Sequence, residues 1–218
     1  MLFRSTTFRT RGRQNVAVFA LTAPEVHDAG AVLALVAALG VVLMVIARLV
    51  PATPAFQFLD VLHRGQLALA AVVASTATLG SLWFSEEAGW VPCRFCWYQR
   101  IFMYSSAVVL VVAAVRRDRS ARWYAVPLAG IGSLLSIWHI LLEHRIIEES
   151  TSCSSVTSCA TPNYVSFGHL EFDADGQFVS SGFPITLAVM ALCAFAAVIA
   201  LLLAPEPLVD DSESAPAA

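Results

Sequence analysis

Long apolar runs dominate this 218-residue sequence, and they constrain its fold more than any other feature. The runs cover residues 29–47, 67–84, 101–115, 123–142 and 183–203. Because an α-helix rises about 1.5 Å per residue, about 20 apolar residues cross a hydrocarbon core of about 30 Å. The mean hydropathy of +0.71 is typical of a chain that lies largely in a bilayer. The sequence therefore predicts an all-α, polytopic membrane protein built as a four-helix bundle with an extra N-terminal transmembrane helix.

The runs divide the chain into four parts. We expect a flexible tail at 1–28, the extra transmembrane helix and a connector at 29–66, the four-helix membrane domain at 67–203 and a disordered acidic tail at 204–218. The run at 29–47 has 19 residues. A signal peptide is the alternative for it, but the apolar region of a signal peptide normally has only about 7–15 residues.

Loop charge predicts how the helices are oriented. Four arginines follow the third run within seven residues, namely Arg116, Arg117, Arg119 and Arg122. Short basic loops are typical of the cytoplasmic side of a membrane. Alternating spans then place two cysteine pairs, Cys93 with Cys96 and Cys153 with Cys159, on the extracytoplasmic face, where disulfides persist. The same alternation places the arginine-rich N-terminus outside, against the charge rule.

The stretch between the second and third runs carries the clearest chemical signal. Cys93 and Cys96 lie three residues apart after Pro92, and Arg100 follows one turn later. Pro92 suits the first position of a helix. Cys93 would then lie in the first turn, where the helix dipole favours a thiolate. The spacing aligns both cysteines and Arg100 on one helix face, which indicates a redox dithiol. A zinc site needs four ligands, and this stretch offers two.

The run from Cys93 to Arg100 reads Cys-Arg-Phe-Cys-Trp-Tyr-Gln-Arg. It resembles the signature Cys-x-x-Cys-Trp-Tyr-Gln-Arg of the DsbB/BdbC family of disulfide-forming membrane proteins. The resemblance covers about residues 67–203. It implies a quinone-dependent oxidoreductase that reoxidises an extracytoplasmic thioredoxin-like (DsbA-like) dithiol oxidase. The cofactor it implies is a membrane quinone, either ubiquinone or menaquinone.

The second cysteine pair, Cys153 and Cys159, lies in the long polar loop before the last run. A stapled turn is the structural alternative, but a bridge across so short a loop stabilises little. The resemblance implies a relay in which the partner oxidase is reoxidised by attack on Cys153. Electrons would pass from Cys159 to Cys93, and Cys96 would give them to the quinone. The fifth cysteine, Cys193, lies within an apolar run, and we assign it no role.

Two polar side chains within the apolar runs are candidate quinone-binding residues. Arg100 is costly in a bilayer unless it has a role, although it could also snorkel to the interface. The resemblance assigns it to the quinone. His139 matches a family histidine that lies close to the quinone, which implies a quinone-binding or proton-transfer role. The alternative is that it is packed and satisfied, as a lone histidine on an apolar helix usually is. We expect Glu143 and His144 to be solvated at the interface.

Two other interpretations remain open. A vitamin K epoxide reductase-like protein also uses two cysteine pairs and a quinone, but there the loop pair precedes the CxxC motif, whereas here it follows. A non-catalytic membrane protein could hold zinc through Cys93, Cys96, Cys153 and Cys159. The net charge of −3 gives no indication of nucleic-acid binding. The partners that the resemblance implies are the dithiol oxidase, membrane lipid and quinone.

Overall fold

The computed structural model describes residues 23–50, 53–148, 158–162, 164–165, 171–172, 178–179 and 185–205. Within these residues the chain forms five α-helices, which are α1 (Ala23–Leu49), α2 (Thr53–Glu86), α3 (Arg94–Arg116), α4 (Arg122–Glu143) and α5 (Leu187–Leu202). A short 3-10 helix, Arg119–Ala121, joins α3 to α4. Four two-residue strands lie between α4 and α5, namely β1 (Tyr164–Val165), β2 (Glu171–Phe172), β3 (Phe178–Val179) and β4 (Ile185–Thr186). β1 pairs with β4 and β2 with β3, both antiparallel.

In the described part of the chain, four helices are long and apolar enough to cross a membrane. These spans are Val26–Leu49, Thr53–Glu86, Arg94–Arg116 and Arg119–Glu143. α5 has 16 residues and a length of about 24 Å, and it packs against α1, α2 and α4. The chain is therefore a multi-pass membrane bundle of α-helices, which confirms the predicted fold class.

The stretch predicted as a connector up to residue 66 is largely helical, since α2 already begins at Thr53. Pro54 lies in the first turn of α2, where its missing N–H group costs no hydrogen bond. Arg64 forms an ion pair with Asp60 one turn earlier, at 2.6 Å, which supports a helix. Two of the charged residues that suggested a connector therefore pair with each other within a helix.

The helices meet closely because small residues line their contacts. At the crossing of α4 and α5, a Cβ atom on Gly132 would overlap the Phe195 ring. Phe195 is fully buried, as are Ala70, Ala74 and Ala129 in the same core. Close approach through small residues is the usual way in which membrane helices gain van der Waals contact. The bundle therefore depends on these positions staying small.

The two ends of the bundle carry different groups. At one end, Arg48 of α1 donates hydrogen bonds to the carbonyls of Ala200 (3.3 Å) and Leu203 (2.5 Å) at the C-terminus of α5. A cation there is favourable because of the helix dipole. At the opposite end, the ring of His27 lies 5.2 Å from that of Trp90, three residues before Cys93. The start of α1 and the Cys93/Cys96 pair therefore lie at the same end.

Replacing Gly132 with alanine should destabilise the bundle by about 1–3 kcal/mol, because the added methyl group overlaps the Phe195 ring. Gly130 on the same helix is the matched control, since no heavy atom of the described chain lies within 4 Å of a Cβ built there. Gly130→Ala should be neutral or slightly stabilising. The measurement is the free energy of unfolding in mixed micelles. Equal stability of the two variants would contradict the close packing of α4 on α5.

Candidate active site

The Cys93 sulfur caps the N-terminus of α3. The helix begins at Arg94 and Cys93 is its N-cap, so the prediction that Pro92 starts the helix was wrong by two residues. The Cys93 Sγ accepts a hydrogen bond from the Cys96 backbone N–H at 3.2 Å. A side-chain acceptor commonly satisfies an unpaired N–H group at this position. The cap therefore fixes the orientation of the Cys93 side chain.

Both cysteines are thiols in this structure, and their sulfurs lie 2.9 Å apart, with Cys93 donating to Cys96. This hydrogen bond and burial raise the pKa of the Cys93 thiol to about 12. The sequence predicted a thiolate on Cys93 from the helix dipole, and the structure corrects this. The sulfur-to-sulfur hydrogen bond and desolvation outweigh the dipole, so Cys93 is held as a thiol.

His139 of α4 lies beside the cysteine pair. Its Nε2 is 3.6 Å from the Cys93 Sγ, and one ring nitrogen and the two sulfurs all lie within 4.8 Å of one another. The ring stacks on Phe95 at a centroid distance of 5.9 Å. Its Nδ1 is 3.4 Å from the Gln99 amide nitrogen. The buried imidazole is therefore held on both sides and aimed at the reactive sulfur.

Glu143 extends this arrangement one turn further along α4. Its side chain is only 4% exposed, and its Oε1 lies 3.9 Å from His139 Nε2. Its other oxygen accepts a hydrogen bond from the Thr186 hydroxyl at 2.8 Å. The expectation that Glu143 is solvated was therefore wrong, because Thr186, the N-cap of α5, gives the carboxyl group a buried partner. His144 is exposed, as expected.

The loop cysteine Cys159 reaches the same site. It is fully buried and packs in one cluster with Cys93 and Leu142, and its backbone forms a hydrogen bond with His139. Its predicted partner, Cys153, lies outside the described residues. The structure therefore brings one member of the second pair next to the first pair.

Arg100 is held by α2. Its Nε donates to the Ser81 hydroxyl at 2.9 Å and its Nη2 to the Ser81 carbonyl at 2.8 Å. The guanidinium also lies 5.4 Å from the centre of the Trp97 ring. Tyr104 donates to the same Ser81 hydroxyl at 3.4 Å. The cation is thus fixed in place by backbone and side-chain acceptors, as a buried charge requires.

A cavity of about 490 Å³ opens beside Cys96, between α1, α2, α3 and α5. Its lining is mostly apolar, and the polar side chains in it are Thr76, Ser81, Cys96, Gln99, Arg100 and Tyr104. This size and composition are typical of sites for small organic molecules. Among the described residues, those that line the cavity do not include His139, which contacts Cys93 instead.

A buried dithiol that faces an apolar membrane cavity on one side and a further cysteine on the other defines a membrane thiol–disulfide oxidoreductase. The family comparison agrees with this class. The sequence profile of the family described as disulfide bond formation protein DsbB matches residues 63–205. The chain belongs to this family, and it is a membrane oxidoreductase that forms disulfide bonds.

Curated relatives carry corresponding names. A probable disulfide formation protein of Deinococcus radiodurans is 38% identical over 152 residues, which cover 69% of this chain and 94% of the relative. Disulfide bond formation protein C of Bacillus subtilis is 35% identical over 128 residues, covering 59% and 83% of the two chains. No solved structure matches the chain. The family membership favours this interpretation over the vitamin K epoxide reductase-like one.

Sequence reasoning missed Ser81, Gln99 and Glu143. Gln99 is part of the Cys-x-x-Cys-Trp-Tyr-Gln-Arg signature, so its position could have identified it as a candidate site residue. Ser81 and Glu143 are ordinary polar residues near helix ends, and only the packing of α2 on α3 and of α4 on α5 gives them partners. Local sequence therefore carried no signal for these two.

Replacing His139 with glutamine should slow the reaction of the Cys93/Cys96 dithiol with a small aromatic disulfide about 100-fold. Glutamine keeps a hydrogen-bonding side chain of similar size, but it cannot accept the thiol proton as a general base does. The measurement is the reaction rate in detergent, together with unfolding stability. His144→Gln, a change at an exposed neighbour, is the control. Equal rates in the two variants would contradict a proton-transfer role for His139.

Proposed function

We propose that the chain oxidises a thioredoxin-like (DsbA-like) extracytoplasmic dithiol protein and passes the electrons to a membrane quinone. The observation that carries this proposal is the position of the CxxC pair. Cys93 and Cys159 of the loop lie in one buried cluster, against which Cys96 also packs. Cys96 and Arg100 in addition line the apolar cavity. The dithiol can therefore receive electrons on the loop side and release them on the membrane side.

The exchange on the loop side takes place in two stages, reduction of the loop disulfide by the partner and transfer of its electrons to the CxxC pair. The partner's dithiol first reduces the Cys153–Cys159 disulfide, with attack on Cys153. The Cys159 thiolate then attacks Cys93 of the oxidised CxxC pair, so that a Cys159–Cys93 bond forms and Cys96 leaves as a thiolate. Cys153 attacks Cys159, which rebuilds the loop disulfide and releases Cys93. Two electrons have then moved from the loop pair to Cys93 and Cys96.

His139 and Glu143 serve the proton balance of these steps. His139 Nε2 lies 3.6 Å from the Cys93 sulfur, and the same nitrogen lies 3.9 Å from the Glu143 carboxyl group. We assign His139 as the acceptor of the Cys93 proton when Cys93 forms a bond to Cys96. Glu143 positions the imidazole and stabilises its charged form. Of the two roles expected for His139, quinone binding and proton transfer, we propose proton transfer.

The cavity fits a quinone head group. Its walls are apolar, as a benzoquinone or naphthoquinone ring requires, and Arg100 and the Ser81 hydroxyl offer donors to a carbonyl oxygen. Arg100 is also close enough to act electrostatically on Cys96. A bound quinone supplies an acceptor for two electrons and two protons. Arg100 would hold one of its oxygens, and Cys96 would face its ring.

The orientation in the membrane follows from the two ends of the bundle. The Cys93/Cys96 pair and the start of α1 lie at one end, and the arginine-rich turn between α3 and α4 lies at the other. The positive-inside rule favours a cytoplasmic position for that turn. We therefore propose that both cysteine pairs face the extracytoplasmic side, where their disulfides are stable.

A zinc site is the second candidate function, and the cluster of Cys93, Cys96 and His139 favours it. These three ligand atoms lie within 4.8 Å of one another, and Cys159 packs beside them. The original zinc hypothesis used four cysteines, and His139 would be an additional ligand. Stoichiometric zinc in the purified protein would support this candidate.

The purified protein should couple oxidation of a reduced thioredoxin-like protein to reduction of a soluble quinone. Cys96→Ala should lower the rate of quinone reduction at least about 1000-fold, because the Cys93–Cys96 disulfide that accepts electrons from the loop pair cannot form. The measurement is the loss of quinone absorbance. Cys193→Ala is the matched control, since Cys193 lies in α5 and is not among the described residues that line the cavity. It should keep the wild-type rate.

Orientation is tested with the same reaction in membrane vesicles. A dithiol protein added to right-side-out vesicles should be oxidised, whereas inverted vesicles should leave it reduced. Oxidation only by inverted vesicles would contradict the proposed topology. If the intact protein reduces no quinone with several partners, and zinc is present in equal amount, the zinc site becomes the better account.

A further inference from the structure

Helix α1 forms part of the cavity wall although it lies outside the family match. The matched residues are 63–205, and α1 ends at Leu49. One stripe of α1 nevertheless lines the cavity, including Gly30, Leu33, Ala34 and Ala37. Their spacing follows the helical repeat, so a single face of α1 is turned towards the cavity.

Both ends of α1 are fixed to the bundle. Arg48 donates to two carbonyls at the C-terminus of α5. At the other end, His27 packs among Trp83, Phe84 and Trp90, with ring centroids 5.2–6.3 Å from its own. The helix between these contacts packs on α5 and α2. Because both ends are anchored, α1 is a fixed wall of the cavity.

At Gly30, α1 approaches side chains of α5 and α2 closely. A Cβ atom there would lie 3.0 Å from the Met190 Cε and 4.0 Å from the Phe84 ring. Met190 and Phe84 both line the cavity. A larger residue at Gly30 would therefore displace the Met190 side chain, which itself lines the cavity, and reduce the cavity's volume. Arg100 and Cys96 lie on the α3 side of this same space.

We propose that α1 is a functional wall of the quinone site and that Gly30 sets the room available to the quinone. The inference rests on the proposed function, because it assumes that the cavity binds a quinone. It adds that this chain uses a segment outside the family match to enclose the ligand. Filling the space at Gly30 should then weaken quinone binding without changing the cysteine chemistry.

The test is equilibrium dialysis of the full-length protein in detergent with a radiolabelled decyl-substituted benzoquinone. Gly30→Leu should raise the dissociation constant for the quinone about tenfold, because the leucine side chain and the displaced Met190 would occupy part of the cavity. Gly40→Leu is the matched control on the same helix, where a built Cβ meets none of the described atoms within 4 Å. It should bind as the wild type does. Reaction of the Cys93/Cys96 dithiol with a small disulfide should be unchanged in both variants.

A second variant separates a local steric effect from general misfolding. Met190→Ala added to Gly30→Leu removes the side chain that the leucine displaces, so it should recover most of the lost affinity. If Gly30→Leu binds the quinone as tightly as Gly40→Leu, the role of α1 is overturned. If the wild type itself binds no quinone, the proposed function fails and the inference fails with it.

Discussion

A polar group inside a membrane bundle must find its partner within the protein, since the hydrocarbon offers none. The site is built around this constraint. Arg100 is satisfied by two groups of Ser81, and Glu143 is satisfied by Thr186 at the start of α5. These hydrogen bonds join α3 to α2 and α4 to α5, so they orient the helices as well as the charges. The cation and the carboxyl group therefore stay near the cysteines but in separate places, one beside the cavity and one beyond His139.

The separation gives the CxxC pair two different environments. Cys93 caps α3 and contacts the imidazole, and it shares a buried cluster with the loop cysteine, whereas Cys96 packs against this cluster and also lines the cavity with Arg100. Thiol exchange needs a proton acceptor and access for a second sulfur, and both lie next to Cys93. Delivery of electrons to an apolar acceptor needs an apolar cavity and a cation, and both lie next to Cys96. Because Cys93 and Cys96 are only three residues apart, a single disulfide connects these two environments.

The sequence predicted what depends on local pattern. Apolar runs of about 20 residues gave the long helices, and the motif from Cys93 to Arg100 gave the reactive pair and its cation. The start of α2 was missed because polar residues such as Asp60 and Arg64 suggested a connector, although they pair within the helix. Glu143 was misjudged because its partner, Thr186, is 43 residues away. Contacts over such distances depend on how the helices pack, which no short stretch of sequence encodes.

The central claim is that electrons cross from the loop to the membrane pair between Cys159 and Cys93. Its most direct test is disulfide mapping in the variant Cys96→Ser/Cys153→Ser, which leaves these two sulfurs without their usual partners. Mild oxidation followed by peptide mass spectrometry should find Cys159 bound to Cys93 in most molecules. The variant Cys93→Ser/Cys153→Ser should give much less of the corresponding bond to Cys96. If Cys93 and Cys159 both remain open to alkylation after oxidation, the two pairs do not meet and the relay is wrong.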